Sequence, residues 1–205
     1  MKTARNATGI LENRLLKLRN FISDWVQLAG VRIVNAAAKS GGYHVNRGIP
    51  YGSEPRNQLD HYVLHKGHAE DKLKRPLVLF IYGGNWQSGH RGNYRFVADT
   101  LCSLGYDVVV PDYRLYPNVR FSDILSDVRM ATTWVMNSEE IDSRRPIYVM
   151  GHSAGAQLGS LLCLNPALLS HLPGAEKRIA AFIGLSGPYD FYPYTEESHW
   201  DLFAP

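Results

Sequence analysis

The sequence predicts an α/β domain built on a mostly parallel sheet. Two observations carry that expectation. Short apolar, β-branched runs alternate with segments of helical period through the middle of the chain, which is the pattern of repeated βαβ units. In addition, Pro146-Ile147-Tyr148-Val149-Met150 leads into Gly151-His152-Ser153-Ala154-Gly155 and then into a small-residue stretch of helical composition. A strand, a sharp turn and a helix in immediate succession, with serine at the tip, place a hydroxyl where a ligand can reach it.

The elements are justified in chain order. Residues 10 to 38 carry apolar side chains interrupted by Arg14, Lys17, Arg19 and Asp24. A secretory segment would be apolar without interruption and would end in a small-residue cleavage site. A membrane span needs about 18 or more apolar residues. Neither pattern is present. An amphipathic helix packed on the domain accounts for the spacing; the second reading, a helix lying on a membrane surface, draws on the same Arg, Lys and Trp25. Gly41-Gly42 ends it, so residues 1–50 are assigned to an N-terminal helical segment and 51–205 to the α/β core. In the core, 59–65 reads as an early strand and 66–75 as a charged connection. Residues 77–81 form a buried strand bounded by Pro76 and Gly83. Residues 93–104 read as a helix ended by Gly105, and 107–110 as a strand closed by Pro111. Residues 122–136 place Ile124, Leu125, Val128 and Ala131 on one helical stripe. The strand 146–150, the helix 156–164 and a further buried strand at 180–185 complete the alternation.

Bulk composition narrows the classes. A chain of 205 residues, 45% hydrophobic and 20% charged, suits one globular domain with a core. A net charge of +3 from scattered basic residues indicates no nucleic-acid surface. Cys102 and Cys163 sit in apolar helical contexts and read as buried free thiols, which fits a reducing, cytoplasmic setting. The eight histidines show no metal-ligand spacing and no glycine-rich phosphate loop occurs, so no cofactor is expected. Oligomeric state is not legible.

The chemistry concentrates in two places. Gly151 and Gly155 flank Ser153 where strand and helix backbones must approach closely. The helix start behind Ser153 favours negative charge on an attacked carbonyl oxygen. Upstream, Tyr82-Gly83-Gly84-Asn85-Trp86 follows the buried strand 77–81. Two glycines there permit a turn that aims backbone N–H groups into a cleft. Taken alone, each motif also reads as an ordinary glycine turn.

In these motifs the chain resembles the α/β-hydrolase esterases, in the branch marked by His-Gly-Gly-x-Trp and Gly-x-Ser-x-Gly. That branch holds carboxylesterases, acetyl and feruloyl esterases, kynurenine formamidase and prenylcysteine methylesterases. The resemblance runs from about Tyr51 to Tyr189. Its marks are Leu59-Asp60, Tyr82 to Trp86, Gly89, Pro111 to Leu115, Asp127, Gly151 to Gly155 and Ser186 to Asp190. It implies a three-layer sandwich with Ser153 as nucleophile. It also implies an oxyanion hole from the N–H groups of Gly84, Asn85 and Ala154, and a pocket lined by Gly83, Trp86 and His152. Tyr82 stands where the family usually has His. The hole uses backbone donors, so this departure bears on how the loop is held.

Serine needs a base, normally a histidine held by an acid, and in this family both follow the serine in the chain. The family layout puts them on loops after two further strands, whereas this sequence runs to Pro205. On that layout the last strands and the triad acid and histidine are expected to be missing. Only His171 and His199 follow Ser153, and His199, near Asp190, Glu196, Glu197 and Asp201, is the candidate base. Among other polar residues, Asp112 and Arg114 read as a local ion pair and Asp127 as a helix-to-loop hydrogen-bond partner. Three readings of function stand: hydrolysis of short-chain or aryl carboxylic esters, an arylformamidase-type amide hydrolysis, and a non-catalytic hydrolase fragment.

Overall fold

The computed structural model describes residues 35, 41–65, 75–190, 194 and 197–203. These residues form a six-stranded sheet in the order β1-β2-β4-β3-β5-β6. The strands are β1 (Tyr43–Pro50), β2 (Gln58–Leu64), β3 (Leu77–Ile81), β4 (Asp107–Pro111), β5 (Ile147–His152) and β6 (Ile179–Leu185). β1 and β2 form an antiparallel hairpin that joins β4 antiparallel; β4, β3, β5 and β6 run parallel. β3 and β4 are buried at every position, as their unbroken apolar runs require of central strands covered on both faces.

The helices are α1 (Arg95–Ser103), α2 (Phe121–Asn137), α3 (Ala154–Leu164), α4 (Pro166–Leu169), α5 (Ala175–Arg178) and α6 (Glu197–Leu202), with a 3₁₀ turn at Arg91–Tyr94. From β3 the chain crosses through α1 to β4 on one side. It then returns past β3 through α2 to β5 and goes on through α3 to β6. With right-handed crossovers, α1 lies on one face of the sheet and α2 and α3 on the other, which makes three layers. α2 buries Ile124, Val128, Ala131 and Val135, a stripe at helical spacing. Its start is held by Asp123, whose carboxylate accepts the Arg120 N–H at 3.1 Å. The first turn of α1 is capped from far away: Asn35 Oδ1 accepts the Phe96 N–H at 2.8 Å, while its Nδ2 donates to Asn93 O at 2.8 Å. Residue 35, within the expected N-terminal helix, is helical. The rest of that segment, the candidate membrane-surface face included, lies outside the described residues, as do 66–74.

The elements stand where the sequence places them, with four differences. The boundary expected at residue 50 falls inside the sheet, because Tyr43–Pro50 pairs with Gln58–Leu64 as a strand. Only Tyr43 of β1 is buried and the other positions are half-buried or exposed, which weakens its apolar signal, and pairing with β2 supplies what propensity does not. The strand at 180–185 is not the buried one expected: β6 is an edge strand with Ile183 38% and Leu185 45% exposed. Asp112 and Arg114 do not pair locally. Asp112 takes Arg91 and Tyr82, and Arg114 bonds Asp127 of α2 through Nε and Nη2, each at 2.9 Å. Finally, Cys102 is buried but Cys163 only half-buried; both are free thiols, and desolvation raises them to about 12 and about 11. Asp127 is the helix-to-loop partner expected, accepting the Arg114 N–H at 2.8 Å. Among the described residues, no helix is long and apolar enough to cross a membrane.

His61 on β2 is 2% exposed, edge-on to Trp134 at 6.2 Å and 3.6 Å from Glu140 Oε2. Desolvation, helped by Arg145, outweighs the nearby carboxylates of Asp107 and Glu140 and lowers its pKa. The folded state therefore holds this ring neutral, while the unfolded chain binds a proton near pH 6.5. Stability attributable to His61 is full above that pH and is lost as the pH falls below it. Urea unfolding at pH 7.5 and 5.5 is expected to show this decline, and His61→Gln is expected to flatten it. An unchanged slope in the variant would assign the pH dependence to other groups.

Candidate active site

The carboxyl ends of the parallel strands bring the two motifs together. Ser153 sits between β5 and α3 with φ 52° and ψ −122°, a backbone conformation that costs a serine of the order of 1–3 kcal/mol. The neighbouring chain holds it there. The Ser153 N–H donates to Leu185 O of β6 at 2.8 Å. Below it, Gly155 rests directly on the last carbonyls of β3: a Cβ at that position would run into Ile81 O and Tyr82 O. Ala156 and Gln157 donate back to Ser153 O at 2.9 and 3.2 Å. Ala156 is thus the first donor inside α3, and the N–H groups of Ala154 and Gly155 precede it at the helix start, without an intrahelical acceptor.

The Gly-Gly loop lies against this elbow. A Cβ on Gly83 would fall 2.8 Å from Ser153 Cβ and 2.7 Å from His152 O, so only glycine allows the loop to approach the serine this closely. Asn85 (φ 52°) and Trp86 (φ 58°) follow in the left-handed region, as does Ser186 (φ 52°) after β6. All four non-glycine residues with positive φ among the described residues thus lie just beyond the carboxyl ends of β3, β5 and β6, where open α/β sheets bind ligands.

Tyr82 explains how the loop is held without the family's histidine. Its ring is fully buried, stacked on Tyr113 (4.7 Å between centroids, 22°) and on Tyr94 (5.2 Å, 13°). Its hydroxyl donates to Asp112 Oδ1 at 2.7 Å and accepts from Arg56 Nη2 at 3.0 Å. Burial drives its pKa well above the ordinary tyrosine value, so it remains a donor. Asp112 also holds Arg91 through the guanidinium and through the Arg91 N–H at 2.7 Å, with His90 Nε2 at 3.3 Å. Arg91 Nε in turn reaches Asp60 of β2 at 2.7 Å. Two buried carboxylates thus share one arginine, which satisfies charges that would otherwise be costly to bury. Sequence reasoning does not single out Arg91 as a site residue, and Asp60 enters it only as a mark of the resemblance.

The remaining predicted residues are placed as follows. Trp86 is 2% exposed and packs edge-on against Phe121 (6.5 Å) and Phe203 (5.2 Å). His152 is exposed at the end of β5. His199, on α6, stands edge-on to Trp86 at 5.7 Å, and its Nε2 is 3.2 Å from Asn85 Oδ1. α6 is fastened over this region by Asp201, which meets Arg120 Nη2 at 2.9 Å and the Tyr116 hydroxyl at 2.9 Å, and by Leu202, fully buried. No cluster of potential metal ligands occurs among the described residues. The arrangement offers a strained, half-buried hydroxyl, adjacent backbone donors and a wall of aromatic side chains.

Gly83→Ala is expected to cost about 1–3 kcal/mol of stability by overpacking the loop against the elbow. Urea unfolding of the variant beside the parent chain checks this, and equal stability would mean that the loop retreats without strain.

Comparison with known proteins agrees with this geometry. The BD-FAE family matches residues 62–202. Isoprenylcysteine alpha-carbonyl methylesterase ICME from Arabidopsis thaliana is 33% identical over 162 residues, covering 76% of this chain and 37% of that protein. Esterase LipC from Mycobacterium tuberculosis is 30% identical over 200 residues, covering 91% of this chain and 49% of LipC. The crystal structure of esterase B from Lactobacillus rhamnosis superposes with a TM-score of 0.61 at 25% identity, covering 80% of this chain and 54% of that one. The chain therefore spans less than half the length of these two curated relatives. With a sheet order, an elbow and a glycine loop that agree with that match, the chain belongs to the BD-FAE family of α/β-hydrolase fold esterases.

Proposed function

We propose that this chain carries the nucleophile and oxyanion hole of a serine hydrolase that cleaves short-chain or aryl carboxylic esters through an acyl-enzyme on Ser153. The observation that carries this reading is the contact of Gly83 with Ser153, which sets the Gly-Gly loop beside a strained serine at a helix start. Ser153 Oγ attacks the ester carbonyl carbon as a base takes its proton. The carbonyl oxygen becomes an oxyanion, held by the N–H groups of Gly84, Asn85 and Ala154. Collapse expels the alcohol, which takes up the proton, and water then releases the acid from the serine by the reverse sequence. His152, exposed at the end of β5, borders the substrate, whereas Gly83 and Trp86, both buried, back the oxyanion loop rather than line an open pocket.

Of the two histidines that follow Ser153, His199 is the one that meets the glycine loop, and it is the candidate base. Its Nε2 meets Asn85 Oδ1, so it would have to leave that partner to serve Ser153. The substrate is a small-molecule ester, and no cofactor takes part. The free thiols of Cys102 and Cys163 support a cytoplasmic setting, which cell fractionation would check.

Turnover of p-nitrophenyl acetate and butyrate tests the proposal. Ser153→Ala is expected to lower kcat by about 10⁴-fold or more. Turnover that survives this change would overturn the role of Ser153, and the absence of any turnover in the parent chain would favour the non-catalytic reading. His199→Ala with full activity would remove His199 as the base. A preference for N-formylkynurenine over aryl acetates would favour the amide reading, since acyl transfer to serine uses the same groups for both.

A further inference from the structure

The Gly83–Gly84 peptide is held by a side chain outside both motifs. Tyr94, in the 3₁₀ turn before α1, donates its hydroxyl to Gly83 O at 3.2 Å. A peptide unit is planar and trans, so the carbonyl of Gly83 and the N–H of Gly84 point in opposite directions within one plane. Whatever fixes that carbonyl fixes that N–H. Glycine leaves such a plane free to rotate, and Gly84, with φ 137°, adopts a backbone that no side chain would select. The plane therefore needs an external restraint, and it lies where a restraint matters, since Gly83 is the residue in contact with Ser153.

The neighbouring plane is held in the same way by a different residue. Tyr113 donates its hydroxyl to Tyr82 O at 2.9 Å, which orients the Gly83 N–H. The rings of Tyr94, Tyr82 and Tyr113 form one stack, anchored by the bond from Tyr82 to Asp112. At the far end of the loop, Arg56 Nη2 donates to Gly89 O at 2.9 Å. Each restraint acts on a carbonyl that brackets residues 84–88, and of the three only the Tyr94 bond acts on the plane that carries the Gly84 N–H.

We propose that Tyr94 is a positioning residue for the oxyanion hole, locking the Gly83–Gly84 peptide so that the Gly84 N–H is aimed before substrate arrives. The proposal deepens the Ser153 reading and rests on it for its catalytic consequence, but the orientation of the Gly84 amide can be read without turnover. Tyr94→Phe keeps the ring in the stack and removes the hydroxyl. In the full 205-residue chain, the Gly83 carbonyl carbon and Gly84 nitrogen resonances are expected to move and the Gly84 amide to exchange faster with solvent, while the melting temperature stays within a few degrees. Tyr113→Phe is expected to move the Gly83 amide instead. If the parent chain hydrolyses p-nitrophenyl acetate, Tyr94→Phe is expected to lower kcat about 10- to 100-fold with KM nearly unchanged, since a misaimed donor weakens only the oxyanion. Gly84 resonances and exchange that match the parent would overturn the proposal. So would an unchanged kcat in an active chain, or faster exchange spread over the whole domain with a collapsed melt, which would mark Tyr94 as merely structural. If the parent chain shows no turnover, it is the Ser153 reading that fails, and the Gly84 amide alone decides the role of Tyr94.

Discussion

The contact of the α3 backbone with the last carbonyls of β3 is the constraint on which the site depends. Gly155 has no room for a side chain because Ile81 O and Tyr82 O occupy it. That contact sets how near the helix start comes to the sheet, and so how sharply the chain must turn at Ser153. The turn carries positive φ, and the strain is sustained because β3 below and Leu185 of β6 beside it leave the backbone no alternative. The same close fit brings the loop leaving β3 against the serine. Nucleophile and candidate oxyanion donors are therefore consequences of one packing event.

A second device holds that loop from behind. Arg91 bridges Asp60 on β2 and Asp112 beyond β4, and Tyr82 joins the network through its hydroxyl. Buried carboxylates are tolerated only where donors surround them, and here the donors come from the loop that must be immobilised. The charges thus link the hairpin β1-β2 to the glycine loop. The tyrosine at position 82 fits this scheme: its ring stacks between two other tyrosines, and its hydroxyl reaches the carboxylate.

Much of this is legible in the chain itself. Apolar runs mark β3 and β4, which are buried at every position because both faces are covered, and the run Ile147 to Met150 marks β5, whose exposure alternates. The helix α1 follows from spacing and Gly105 beyond its end, α2 from its apolar stripe, and α3 from the small-residue stretch after the elbow. β1 escapes a sequence reading because its exposed and half-buried positions offer little apolar signal, and β6 reads as buried because its composition does not reveal that it is an edge. The partners of Asp112 and Arg114 are equally hidden. Adjacency in sequence suggests a pair, but the residues sit at the end of a strand, where neighbouring side chains diverge and each meets a different element.

By itself, the sequence determined the alternation of strands with the helices α1, α2 and α3 from β2 to β6, the residue at the nucleophile position and the glycines that close packing demands, because each is a local requirement of backbone sterics and periodicity. Only the tertiary structure decided which carbonyls are gripped by Tyr94 and Tyr113, that Asn35 caps a helix distant in sequence, that Arg91 serves two carboxylates, and that His199 faces Asn85. Those contacts join residues far apart along the chain. Hydrogen bonding depends on distances of a few tenths of an ångström and on angle, and neither is encoded in composition or periodicity.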